Sequence, residues 1–160
     1  AAATLVGQNL GAQKQRRAEL AVWLTVRYNV IFMASVTGIY LLFSKQLVGL
    51  FTDIPLVKDV AAQGLWIISL GYVFFAIGMV LTQAFNGAGD TKTPAWINAV
   101  VLLGIEVPMA YLLAFPLELG YLGIFIAIAA CHSLHALVAL YFFKKGKWKL
   151  KFSNQENIGQ

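Results

Sequence analysis

Charge is scarce in this sequence. Asp, Glu, Lys and Arg make up 12% of the 160 residues, and 59% are hydrophobic, against roughly 25% charged in an ordinary soluble domain. From Val60 to Gly89, and again from Leu119 to Phe143, no charged residue occurs. Each run exceeds the roughly 20 residues that cross the hydrocarbon of a bilayer. Leu20 to Phe43 is interrupted only by Arg27, and Ala95 to Phe115 only by Glu106. A buried helix of a soluble protein would carry a polar outer face, and none of these stretches has one. The expected fold is all-α and polytopic, with four complete crossings.

Other absences narrow the function. Cys131 is the one cysteine, so no internal disulfide can form. His132 and His135 share a helix face, with Cys131 one turn from His135, but no second ligand pair has zinc-site spacing, so no metal is expected. An interhelical hydrogen-bonding pair is the favoured reading of the histidines, and a proton relay the alternative. The Gly-Lys-Ser/Thr string of a phosphate loop is missing after Gly89-Asp90-Thr91. With no nucleophile, base or metal constellation, neither an enzyme nor a cofactor is expected. Ala1 to Gly11 is apolar but about half a crossing long, and has no initiator Met, basic region or cleavage pattern. It reads as the last turns of a truncated helix.

The bases that do occur are placed unevenly. Lys14, Arg16, Arg17, Lys92, Lys144, Lys145, Lys147, Lys149 and Lys151 fall on one side of the four crossings, and only Lys45 and Lys58 on the other. Lys and Arg are retained in the cytoplasm, so the Asn86 turn and the C-terminus are expected there, in a multi-pass protein of the cell membrane. The net charge of +5 is mainly a juxtamembrane tail that would hold anionic headgroups at about 1 kcal/mol per base. It does not imply nucleic acid. Residues 153–160 are polar and read as disordered. Arg27, about 10 Å inside its helix end, can snorkel to the interface.

Between two apolar runs stands Asn86-Gly87-Ala88-Gly89-Asp90-Thr91-Lys92-Thr93-Pro94. Asn86 and Gly87 suit the left-handed backbone that ends a helix, and Thr93 with Pro94 suits the cap and first position of the next. This string, with Phe85 before it and Asn98 after, resembles the multidrug and toxic compound extrusion (MATE) transporters. Leu5-Val6-Gly7-Gln8-Asn9-Leu10-Gly11-Ala12, followed by Arg17-Ala18, is similar to the family's other cytoplasmic glycine motif. Pro108 before Ala110-Tyr111-Leu112, and Gly120-Tyr121-Leu122-Gly123, match in order and spacing.

The resemblance covers about Thr4 to Trp148. It implies the end of an eighth helix and the ninth to twelfth, most of one lobe of a two-lobe transporter that exchanges sodium or protons for organic, often cationic, drugs by alternating access. Residues 1–152 would form this partial C-terminal lobe, with helices at about 1–12, 20–43, 55–86, 94–115 and 119–143. The N-terminal lobe is the missing partner, membrane lipid the solvent, and a small drug-like compound the substrate. The turn residues Gly7, Gln8, Gly11, Asn86, Gly87, Gly89, Asp90, Thr91 and Pro94 would hold helix ends together.

Two stripes mark the helix from Pro55 to Asn86. Gly64, Gly71 and Gly78 recur every seven residues and offer bare backbone to a neighbouring helix. A quarter-turn away lie Ser69, Tyr72, Ala76, Met79, Gln83 and Asn86, a polar and soft stripe that reads either as a substrate-cavity wall or as an ordinary helix contact. Tyr72, Met79 and Gln83, with Asn98, are the cavity candidates. Glu106, midway along its crossing, needs a partner, a proton or water. Pro108 frees the carbonyl of Gly104, so an acid and an acceptor lie together where a coupling ion could bind; the alternative is a structural acid paired with a neighbouring helix. Many MATE members carry a coupling acid in the helix before the glycine turn, and this chain has none there. A related flippase for lipid-linked oligosaccharides would need several bases in its cavity, and only Arg27 is available. A non-transporting fragment that assembles with another chain is the remaining alternative.

Overall fold

The computed structural model describes residues 2–149, and among them every regular element is helical. In order they are α1 (Ala2–Gly11), α2 (Gln15–Gly49), α3 (Pro55–Ser69), α4 (Tyr72–Gly87), α5 (Lys92–Asn98), a π-helical segment (Ala99–Glu106), α6 (Val107–Ala114) and α7 (Tyr121–Lys144). The expected tail at 153–160 lies outside the described residues. Three stretches are long and apolar enough to cross a membrane: Gln15–Gly49, Lys92–Ala114 and Tyr121–Lys144. The α3–α4 pair, bent by 54°, is long and apolar enough for a fourth when its two halves are taken as one broken span.

That bend departs from the single helix expected over 55–86. Leu70 and Gly71 turn their N–H groups to Ile67 (3.2 Å) and Ile68 (2.9 Å), the tight i→i+3 pattern, and α4 restarts at Tyr72. Inside a bilayer a break must be satisfied by protein. Here the Thr37 hydroxyl of α2 donates to the Ser69 carbonyl at 3.0 Å. The crossing expected to end at Phe43 does break there (φ −124°, ψ 16°), but helix resumes and runs to Gly49.

The glycine stripe faces α7. A Cβ at Gly64 would strike the Phe125 ring, one at Gly71 would lie 3.1 Å from Ala129 Cα, and one at Gly78 would lie 2.5 Å from His135 Nδ1. Bare backbone at these levels lets α3–α4 and α7 approach closely enough for dispersion to hold them, the main attraction left where lipid is as apolar as the side chains.

A compact core forms at the lysine-bearing end of the bundle. Val6 and Leu10 of α1, Val22 of α2, Leu81 and Phe85 of α4, Phe143 of α7 and Trp148 all belong to it. Trp148 stacks on Phe143 with ring centres 4.9 Å apart and donates its indole N–H to the Phe143 carbonyl at 3.1 Å. Lys149 reaches Glu19 at 2.6 Å. The bases before α2, at Lys92 and after α7 are therefore gathered at one end.

The turn between α4 and α5 is built differently from the expectation. Asn86 and Gly87 remain helical, and Gly89 carries the positive φ (76°). Gly87 is small for another reason. A Cβ there would drive into the backbone of Ala3, and one at Gly7 would lie 3.2 Å from the Gly87 carbonyl oxygen. The expected cap at Thr93 is replaced by Asp90, whose carboxylate accepts the Thr93 N–H (3.2 Å) and hydroxyl (2.6 Å). The two carboxylate oxygens of the aspartate serve the two donors separately, one each. Helix then starts at Lys92, with Pro94 inside its first turn.

Candidate functional site

Lining one face of α2 and α4 is an open cavity of about 440 Å³. Met79 and Gln83 of α4 form one wall, and Thr25, Tyr28, Asn29 and Phe32 of α2 the other, with Ala2 at the edge. In the helical register Thr25, Tyr28, Asn29 and Phe32 are spaced by three and four, so α2 presents them together. Met79 and Gln83 follow the same rule on α4. Tyr28 is 66% exposed and Met79 47%, so the chain's own helices leave this wall open. An aromatic ring, a thioether and two amides can together hold a flat organic cation.

Tyr72 and Asn98 stand apart from that cavity. Tyr72 meets Tyr40 of α2 edge-to-face, with ring centres 5.9 Å apart, farther along the same α2–α4 seam. Asn98 accepts a hydrogen bond from His135 Nε2 at 2.9 Å, joining α5 to α7. His132 packs its ring on Phe75 of α4, with centres 4.9 Å apart. Among the described residues no group of three His, Cys, Asp or Glu could hold a metal ion.

Glu106 closes the π-helical segment that packs on α7. Its Oε2 is shut off from solvent and has no hydrogen-bond partner among the described residues. Arg27 is exposed, and no ion pair joins it to Glu106. The π winding ends two residues before Pro108. A wider turn moves carbonyls off the proline ring, which relieves the clash that a regular helix would suffer at Gly104. Gly104 itself faces outward, with only the Ala99 carbonyl near where a Cβ would stand (3.7 Å).

The remaining singled-out positions gather at the lysine-bearing end. Gly7 meets Gly87, and Gln8 accepts the Ala12 N–H that helps close α1 near Gly11. Asn86 and Thr91 are exposed, while Asp90 and Pro94 are buried in the turn.

Sequence reasoning missed Thr25, Tyr28, Asn29 and Phe32. Their three-and-four spacing with polar ends was a usable signal, overshadowed by Arg27 between them.

Comparison with known proteins meets this geometry at the level of the family. The MatE family model matches residues 1–112. The chain belongs to the MatE family. It is 29% identical over 121 residues to the probable multidrug resistance protein NorM of Thermotoga maritima, covering 76% of this chain and 26% of that protein. Multidrug and toxin extrusion protein 1 of Homo sapiens is 27% identical over 150 residues, covering 93% of this chain and 26% of the relative. A solved structure described as an inward-facing conformation of a multidrug resistance MATE family transporter of the MOP superfamily superposes with a TM-score of 0.82 at 19% identity. That superposition covers 98% of this chain and 35% of the other, and it supports the MatE fold. The chain thus spans about a quarter of the curated relatives' length. It makes up part of one lobe in a polytopic all-helical membrane fold, and the relatives are named for multidrug resistance and for multidrug and toxin extrusion.

Proposed function

We propose that this chain serves a secondary exporter of organic, often cationic, compounds, driven by exchange for sodium or protons. The observation that carries the reading is the open cavity on the α2–α4 face, where Met79 and Gln83 meet Tyr28 and Asn29. An unfilled wall of polar and soft side chains suits a facing N-terminal lobe, with substrate held between the two and released by alternating access. Glu106 is the candidate for the coupling ion, because a buried acceptor without a donor can be satisfied by a proton or a small cation. In this reading the lysine-bearing end is cytoplasmic and the protein resides in the cell membrane.

The test is efflux of ethidium from cells expressing the reading frame that encodes this chain. Met79→Trp fills the cavity and is expected to cut the rate about tenfold or more, equivalent to roughly 1.4 kcal/mol, at unchanged membrane abundance. Glu106→Gln is expected to flatten the dependence of the rate on external pH or sodium. Full efflux with both gradient dependences intact in these variants would remove the cavity and the acid from the mechanism.

A further inference from the structure

A second cavity of about 440 Å³ lies between the α5–π stretch and α7. Its floor is apolar: Trp96, Val100 and Ile105 on one side, Leu134, Val138 and Phe142 on the other. Lys92 stands at its end. From Lys92 to Ile105 the helix rises roughly 20 Å, a little more than the about 15 Å depth of one leaflet's hydrocarbon. A groove of that length is long enough to reach from a membrane surface through one leaflet.

Thr93 and Phe142 also line a smaller cavity of about 150 Å³, so the two lie side by side. Lys145, Lys147 and the buried Trp148 form this second space with Phe85 and Asp90. Both Asp90 carboxylate oxygens accept from Thr93, at 3.2 Å from its N–H and 2.6 Å from its hydroxyl. Lys145 Nζ stands 4.4 Å from the Tyr141 ring centre and 5.8 Å from that of Phe142, which lines both cavities. The mouth is thus basic and the body apolar.

We propose that this paired cavity binds one anionic phospholipid, with an acyl chain in the α5–α7 groove and the phosphate among Lys92, Lys145 and Lys147. A zwitterionic lipid would satisfy the groove but not the lysines. A helix of another protein laid in the groove would cover the lysines and bury their charge unless it brought acids of its own. Free phosphate would leave the groove to ordinary lipid. Only a molecule with both parts satisfies both cavities. The inference is independent of drug transport and of Glu106.

Native mass spectrometry of the purified full chain, released from detergent with phosphatidylglycerol or phosphatidylcholine, tests it. Retention of phosphatidylglycerol is expected to exceed that of phosphatidylcholine by about tenfold or more, since each lysine near the surface favours the anion several-fold. Lys92→Gln, Lys145→Gln and Lys147→Gln together should bring the two lipids within about twofold. Val100→Trp, at a half-exposed position inside the groove, should lower phosphatidylglycerol retention about fivefold or more with the lysines intact. Circular dichroism confirms that each variant is folded. Equal retention of the two lipids by the parent chain overturns the proposal. So does phosphatidylglycerol retention that Val100→Trp leaves unchanged, because headgroup attraction to the basic surface then explains it without the groove. Efficient self-cross-linking through Val100→Cys in a lipid-free chain would assign the groove to a second copy instead.

Discussion

The two faces of α4 are made from the same helix and do opposite things. Toward α7 it presents Gly78, with Gly71 at the break just before it, and closes on His135 and Ala129 so tightly that an added methyl group would force a shift. Toward α2 it presents Met79 and Gln83 and leaves a cavity of about 440 Å³. The difference fits the proposed substrate wall, with the helix held in place from the other side. One face is fixed by close backbone approach, and the other keeps side chains that can repack. Substitutions should therefore cost stability on the first face and function on the second.

The largest effect is expected where backbone meets backbone. Gly87→Val places its side chain into Ala3 and separates α1 from α4. It should destabilise the chain by about 3 kcal/mol or more, read as lost monodisperse protein in gel filtration. Gly71→Leu, against Ala129, should cost about 2–3 kcal/mol in a denaturant titration in mixed micelles. If either variant matched the parent, the close-packed face would not be what positions α4.

Smaller changes sharpen the contrast. Asn98→Ala removes the bond to His135 and should cost about 0.6–1.7 kcal/mol, the range of single polar contacts between membrane helices. Met79→Ala and Gln83→Ala, on the open face, should change stability by less than about 0.5 kcal/mol while altering which dyes are exported. Glu19→Gln probes the lysine-bearing end, away from both faces. Its ion pair with Lys149 is partly exposed, and its loss should fall within about 1 kcal/mol by thermal shift, shrinking further in high salt.

Much of the architecture was legible in the residues. Runs without charge marked the crossings, the seven-residue recurrence of Gly64, Gly71 and Gly78 marked a packing stripe, and the two glycine strings pointed to the family. The bend at Ser69–Tyr72 was not legible, because nothing in Ser-Leu-Gly-Tyr requires it without the Thr37 hydroxyl that donates to the Ser69 carbonyl. The turn after Phe85 was read with the wrong glycine. Gly89 rather than Gly87 takes the left-handed backbone, while the size of Gly87 answers to Ala3, which lies far away in sequence.

The candidate site divides in the same way. Met79 and Gln83 were placed on one stripe by spacing alone, since helical periodicity fixes the angle between residues of one helix. Asn98 was grouped with them and belongs elsewhere, bonded to His135. Tyr28 and Asn29 joined them only once α2 was seen to lie across the cavity.

Taken alone, the order of residues determined that this is a polytopic helical membrane chain and which family it belongs to. These follow from local quantities: hydropathy over about 20 positions, charge between crossings, and short strings. Tertiary structure decided which stripes face each other, which carbonyl Thr37 satisfies, and which acid lacks a donor. Periodicity sets a side chain's direction on its own helix, but the helix that lies opposite is chosen by packing across the whole bundle.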